Sequence, residues 1–255
     1  MKNILHIFLF LLLSALLSAQ GGVIGGNGVI RGNGKIGVGA VATPIFVQST
    51  YVVISSSTLS SITSPAITVG ATDTIFVFCR TSTHSTDVAT SSPSNTFTPL
   101  TGQLNATGGS GNAGEQLSYT QNPTPGSTTF TCTPTAAASY QSMIVLDYTG
   151  VGTFQTQAGA IPNSTLTFTS PSFSTGSAGL IVLCAAQNNG GANWTAGSIG
   201  GAGATLRQGS KALPTSSSSD AMCEDVITSG PQSSITAAIT INSSQNFAGT
   251  VAAFQ

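Results

Sequence analysis

From residue 46 onward, apolar positions come in short runs divided by Gly, Pro, Ser and Asn clusters, and no stretch keeps the 3.6-residue spacing of an amphipathic helix. The pattern predicts strands over 51–54, 74–81, 96–100, 116–121, 127–133, 142–148, 165–169, 180–186, 204–208, 223–228, 234–241 and 249–254. A dozen short strands make an all-β fold, a jelly-roll-like β-sandwich. Side chains alternate across a strand, so Ile75, Val77 and Cys79 in TIFVFC share one face, as do Leu180, Val182 and Cys184 in LIVLC.

The two halves echo each other. ITSPAITVGATDTIFVFC, ending at Cys79, aligns with FTSPSFSTGSAGLIVLC, ending at Cys184; Pro65 and Pro171 lie 106 apart, as do Gly70 and Gly176. The chain therefore reads as a sandwich over 46–255 built from two repeats, 46–150 and 151–255, either as one pseudo-symmetric sandwich or as two small ones. The short linking sequence at 151–162 favours close packing of the halves.

Before residue 46 the pattern changes. Lys2, an apolar run over 4–17 and the small pair Ser18-Ala19 have the layout of a secretory signal peptide over 1–19. Residues 20–45 form a Gly-rich leader whose hexads QGGVIG, GNGVIR and GNGKIG place Ile24, Ile30 and Ile36 at a period of six. Glycine loses the most entropy on ordering, so a flexible tether is the default. The alternative is a strand added to a neighbouring copy of the chain.

Composition narrows the function. Only 5 % of residues are charged, with 6 basic against 7 acidic and a net charge of −1, where ordinary soluble domains carry about 25 %. Hydroxyl and amide side chains keep such a surface wet, and nothing in it grips phosphates, so nucleic acid is not an expected partner. After the leader no apolar run reaches the ~18 residues of a membrane helix. A transmembrane β-barrel is also disfavoured, because aromatic girdles are missing and most runs are too short to span.

Three stretches, PSNTFTPL at 93–100, IVLDYTG at 144–150 and ATLRQ with CEDVITSGPQSSITAAIT within 204–240, resemble exported bacterial β-sandwich domains found in large secreted or surface proteins. The resemblance covers most of the chain after the leader. It implies a sandwich fold and no reaction.

Candidate chemistry is thin. His84 is the only histidine beyond the signal peptide, so a Ser-His-Asp site would rest on it with Asp87. Glycoside cleavage needs two carboxylates in one cleft, for which Glu224, Asp225, Asp147, Asp73 and Glu115 are the candidates; Glu224 and Asp225 are adjacent on a strand and point to opposite faces, so bonding to Arg80 or Arg207, or solubility at a sheet edge, is their simpler role. Asp73, Asp87 and Asp220 lie in turn-like segments without a calcium-loop pattern, so no metal or other cofactor is expected.

The four cysteines, one pair per half, suggest Cys79–Cys132 and Cys184–Cys223, with Cys79 and Cys184 as equivalent, inward-pointing positions; free thiols and other pairings stay open. Trp194 in NNGGANWTAG reads either as a plug folded over the end of the sandwich or as an exposed ring that stacks on sugars while Asn188, Asn189 and Asn193 bond hydroxyls. Asn105, Asn163, Asn193 and Asn242 each open an N-x-S/T sequon.

The reading that results is a non-catalytic, secreted or cell-surface structural or adhesive protein. Its expected partners are other copies, engaged through the leader, or an extracellular polysaccharide. A carbohydrate-binding module built on Trp194 is the alternative, and a glycosidase comes third.

Overall fold

The computed structural model describes residues 28–31, 35–38, 42–54, 57–82, 87–105, 113–188, 193–209 and 221–255. The proposed signal peptide, His84, Asn189 and Asp220 lie outside them. The chain divides into two compact units, Met1–Ala42 and Thr43–Gln255. In the first, β1 (Gly28–Arg31) and β2 (Lys35–Val38) pair antiparallel with Ile30 opposite Ile36.

The described residues of Thr43–Gln255 are all β and form four antiparallel sheets. In the first large sheet β3 (Ile45–Ile54), β12 (Gln141–Thr149), β6 (Asp73–Thr81) and β10 (Ala113–Gln121) lie side by side, and β10 carries β8 (Thr98–Pro99) and β9 (Gln103–Asn105) on its far edge. A smaller sheet centres on β11 (Gly126–Thr133), which pairs with β4 (Ile62–Thr63), β5 (Ile67–Val69) and β7 (Val88–Ser92). Residues 154–254 follow the same plan. β13 (Phe154–Ala160), β21 (Phe247–Phe254), β15 (Gly179–Gln187), β19 (Ala221–Thr228) and β18 (Thr205–Gly209) make a large sheet, while β14 (Thr165–Thr169), β20 (Ala237–Gln245), β16 (Trp194–Ile199) and β17 (Ala202–Gly203) make a small one. In each half the chain alternates between its two sheets and the first strand lies beside the last, which is jelly-roll wiring.

The two Ser-Pro steps, 106 residues apart (64 to 170), make the same contacts. Ser64 Oγ accepts from Phe130 N and Ser170 Oγ from Ala237 N, each at 3.0 Å. Each step thereby fastens the segment that follows a small-sheet strand, β4 or β14, to the central strand of that sheet or the end of its neighbour.

Three apolar layers hold the sheets together. Ile62, Ile75, Val77, Phe130, Met143 and Val145 fill the first sandwich; Phe168, Leu183, Trp194, Ile239, Phe247 and Val251 fill the second. Between the two large sheets lies a third core with Phe76, Phe78, Leu117, Tyr148, Val182 and Phe254. Phe254 meets the Phe76 ring edge-on at 5.0 Å, and Tyr148 meets it edge-on at 5.7 Å, the geometry aromatic quadrupoles favour. With both faces of the large sheets covered, β6, β15 and β21 are buried at every position. That is why TIFVF, LIVLC and TVAAF read as continuous apolar runs rather than as the alternation of a half-solvated sheet.

Both disulfides lie inside. Cys79 on β6 crosses to Cys132 on β11 with a Cα–Cα distance of 5.8 Å, joining the two sheets of the first sandwich. Cys184 on β15 bonds its direct neighbour Cys223 on β19, with a Cα–Cα distance of 4.1 Å. Here the expected equivalence needs correcting. Cys79 faces its own sandwich core, whereas Cys184 faces the layer between the sandwiches. The two cysteines lie 105 residues apart (79 to 184) while the surrounding register is 106, and a slip of one residue turns a strand side chain to the opposite face.

Candidate functional site

The sequence placed its candidate surface around Trp194, and the fold sets that residue elsewhere. Trp194 is the first residue of β16, paired with Ile241 of β20, and only 2 % of it is exposed. Its ring packs against Phe247 at 5.7 Å. The exposed-ring expectation is therefore corrected: the indole fills the second sandwich core and offers no stacking face. Asn188 is buried too, its Oδ1 accepting from Asn246 N at 3.1 Å. Asn193 is exposed, and its N–H donates to Asn242 Oδ1 at 2.8 Å. With exposed Asn163 and Asn242 it leaves an amide-rich surface on the second sandwich.

The carboxylates are distributed as strand alternation requires. Glu224 and Asp225 leave β19 on opposite sides. Glu224 Oε2 accepts from Gly197 N at 2.8 Å within the second sandwich. Gly197 lies in a bulge of β16, and a Cβ there would sit 1.7 Å from Ala238 O, so only glycine lets the two backbones approach. Burial, opposed by the Gly197 bond and reinforced by nearby Asp225, pushes the Glu224 carboxyl up to about 7. Asp225 faces the first sandwich, where its Oδ2 accepts from Tyr148 OH and, at 2.9 Å, from Arg207 Nε. The Arg207 guanidinium lies over the Phe46 ring at 4.4 Å. Burial first, then the neighbouring Asp225, hold the Tyr148 phenol well above its ordinary range.

Asp147 and Asp73 come together at one end of the first sandwich. Asp147 Oδ2 accepts from Gln48 Nε2 at 2.9 Å, and Asp73 Oδ2 accepts from Gly70 N. Burial, with the Asp73 carboxyl beside it, raises Asp147 to about 6 despite the Gln48 bond. Asp87 is buried with both oxygens unpartnered, and burial pushes it up to about 7. Among the described residues no group of three or more His, Cys, Asp or Glu side chains converges as a metal site would require.

A polar seam crosses from one sandwich to the other, and sequence reasoning missed it. Asn105 at the end of β9 is 1 % exposed, and its amide reaches Asn163 Oδ1 at 2.7 Å, Phe247 O at 2.9 Å, Pro162 O at 3.2 Å and Ile161 O at 3.3 Å, all in the other half. Glu115 on β10 lies 2.7 Å from Thr250 Oγ1 on β21. Arg80 donates to Tyr140 O and, at 2.9 Å, to Gln187 O. The available signal was rarity: in a chain with 5 % charge, a charged residue inside an apolar strand run, such as Arg80 or Asp147, marks a buried bond.

Comparison with protein-family models, with curated proteins and with solved structures finds no match to this chain.

Proposed function

We propose that this is an exported, non-catalytic structural or adhesive protein, acting outside the cytoplasm or at the cell surface, whose leader over 20–45 joins copies to one another. The observation that carries the reading is the placement of charge. All six described carboxylates are buried, and Asp225, Glu115, Glu224 and Asp147 each bond a strand or a facing sheet. These four act as internal ties, while the exposed positions include hydroxyl and amide side chains such as Asn163, Asn193 and Asn242. Two disulfides suit an oxidising compartment. Among the described residues no helix is long and apolar enough to cross a membrane.

Sedimentation of purified residues 20–255 beside residues 43–255 tests the reading. Multimers that vanish with the leader support it; two monomeric species would remove the assembly role. A second reading, polysaccharide binding, is favoured only by the exposed amides of Asn163, Asn193 and Asn242, since the indole is buried. In a glycan-array screen, saturable binding lost in Asn193→Ala with Asn242→Ala but retained in Trp194→Phe would establish it over the structural role.

A further inference from the structure

We infer that Glu115 is a neutral carboxylic acid in the folded protein near pH 7, donating its proton to Thr250 across the contact between the two sandwiches, so that alkaline pH loosens this contact.

Hydrogen-bond accounting carries the inference. Thr250 Oγ1 has two oxygen neighbours in bonding reach, Glu115 Oε1 at 2.7 Å and Thr101 O at 3.3 Å. A threonine hydroxyl has one proton, and a carbonyl oxygen only accepts. Both bonds form together only if Glu115 supplies a proton to Thr250, which passes its own to Thr101. Ionised Glu115 would take the Thr250 proton for itself and strip Thr101 O of that donor. It would also leave a charge at a position closed to solvent: Glu115 is 0 % exposed and its Oε2 has no partner. A buried carboxylate without compensation is costly, and the group takes up a proton instead.

The neighbours pull both ways, and burial decides. Burial raises Glu115; a bond from Thr250 and a backbone bond from Gln103 of β9 would each favour the anion, but the burial effect is larger, and the group is pushed up to about 8. Asp87 is the like charge nearby and acts in the same direction as burial. From β6, Arg80 stands across from Glu115 in register, with its guanidinium donating to Tyr140 O and Gln187 O. The other strands packed on β10, namely β8, β9, β15 and β21, carry no charged side chain.

The sign follows from linkage. In the unfolded chain Glu115 ionises near its ordinary 4.5, whereas in the folded protein it holds its proton to about 8. Between those values the unfolded state binds fewer protons, so stability falls as pH rises and levels off above 8.

Glutamate occurs only twice in the chain, as Glu115 and Glu224, which makes the test direct. In full-length exported protein labelled with carboxyl-13C glutamate, the resonance absent from Glu115→Gln is expected at the protonated position at pH 6 and to move only above pH 7. An ionised position at pH 6 overturns the inference. If Glu115→Gln does not fold, Glu224→Gln leaves Glu115 as the sole glutamate and the same resonance is read there. For the contact itself, urea unfolding of Glu115→Gln should show a folding constant roughly a hundred-fold or more above wild type at pH 9, closing toward equality at pH 4.5. An unchanged ratio at the two pH values would refute the alkaline loosening.

Discussion

Removing each disulfide in turn gives a prediction that separates two accounts of what these bonds do. The loops closed by Cys79–Cys132 and Cys184–Cys223 span 53 and 39 residues. In the chain-entropy account each bond restricts the unfolded ensemble, worth about 4 kcal/mol for either loop, because the cost rises only with the logarithm of loop length. The native surroundings differ sharply: one bond ties two sheets, the other two strands already paired by hydrogen bonds. If the unfolded chain dominates, Cys79→Ala with Cys132→Ala and Cys184→Ala with Cys223→Ala lose nearly the same stability. The loops do not overlap, so the losses add to about 8 kcal/mol, half or more of a usual total of about 5–15 kcal/mol. Urea unfolding of the purified chain measures this, and the denaturant slope should rise as the freed chain exposes more surface. A loss below about 1 kcal/mol for the neighbouring-strand bond, beside a large one for the sheet-to-sheet bond, would refute the reasoning in favour of native packing.

Trp194→Ala is expected to cost about 3–5 kcal/mol through the cavity it opens against Phe247; a thermal melt that does not move would return the indole to the surface. Asn105→Ala removes the amide donor to Ile161 O and Phe247 O of the facing half, costing about 1–3 kcal/mol; equilibrium unfolding that matches wild type would show that the seam adds nothing. Glu224 holds its proton to about 7 against an ordinary 4.5, so wild type loses stability as pH rises between those values, and Glu224→Gln should exceed wild type by about 3 kcal/mol at pH 8 and match it near pH 4. Denaturation curves at the two pH values decide it, and equal gaps at both would count against a buried neutral acid.

The central strands were legible because burial on both faces writes an unbroken apolar run. The runs predicted at 74–81, 142–148 and 249–254 correspond to β6 (Asp73–Thr81), β12 (Gln141–Thr149) and β21 (Phe247–Phe254). The edge strands were not. FQTQAGA over β13 (Phe154–Ala160) has small and amide side chains and read as a link; it is a strand because β21 offers it a backbone partner, a long-range cause no local window contains. β3 starts at Ile45, inside the proposed leader, for the same reason: it pairs with β12 through Thr149. Trp194 was hidden by its preceding Asn and Gly residues, which signal a turn and do not reveal that a strand begins directly after it. The acid and amide ties between sandwiches were invisible because both partners of each bond are ordinary residues far apart in sequence, such as Glu115 and Thr250.

Why the single tryptophan is internal follows from how the two sandwiches solve one packing problem. Facing sheets lie about 10 Å apart, and their inner side chains must fill that gap. In the first sandwich, Cys79–Cys132 spans it covalently beside Phe130, and the edge strand β7 contributes only the small Ala89 as a buried apolar residue. In the second, the cysteine on β15 has turned to the layer between the sandwiches, so no disulfide crosses the interior. Strand β16, between β20 and β17, supplies Trp194 there, which closes with Phe247 and Phe168 over the same kind of gap. The one-residue offset that moved a cysteine out of the core is thus matched by a large aromatic moved in. A ring held for that reason is part of the scaffold, and any surface this protein presents to a partner must be built from other side chains.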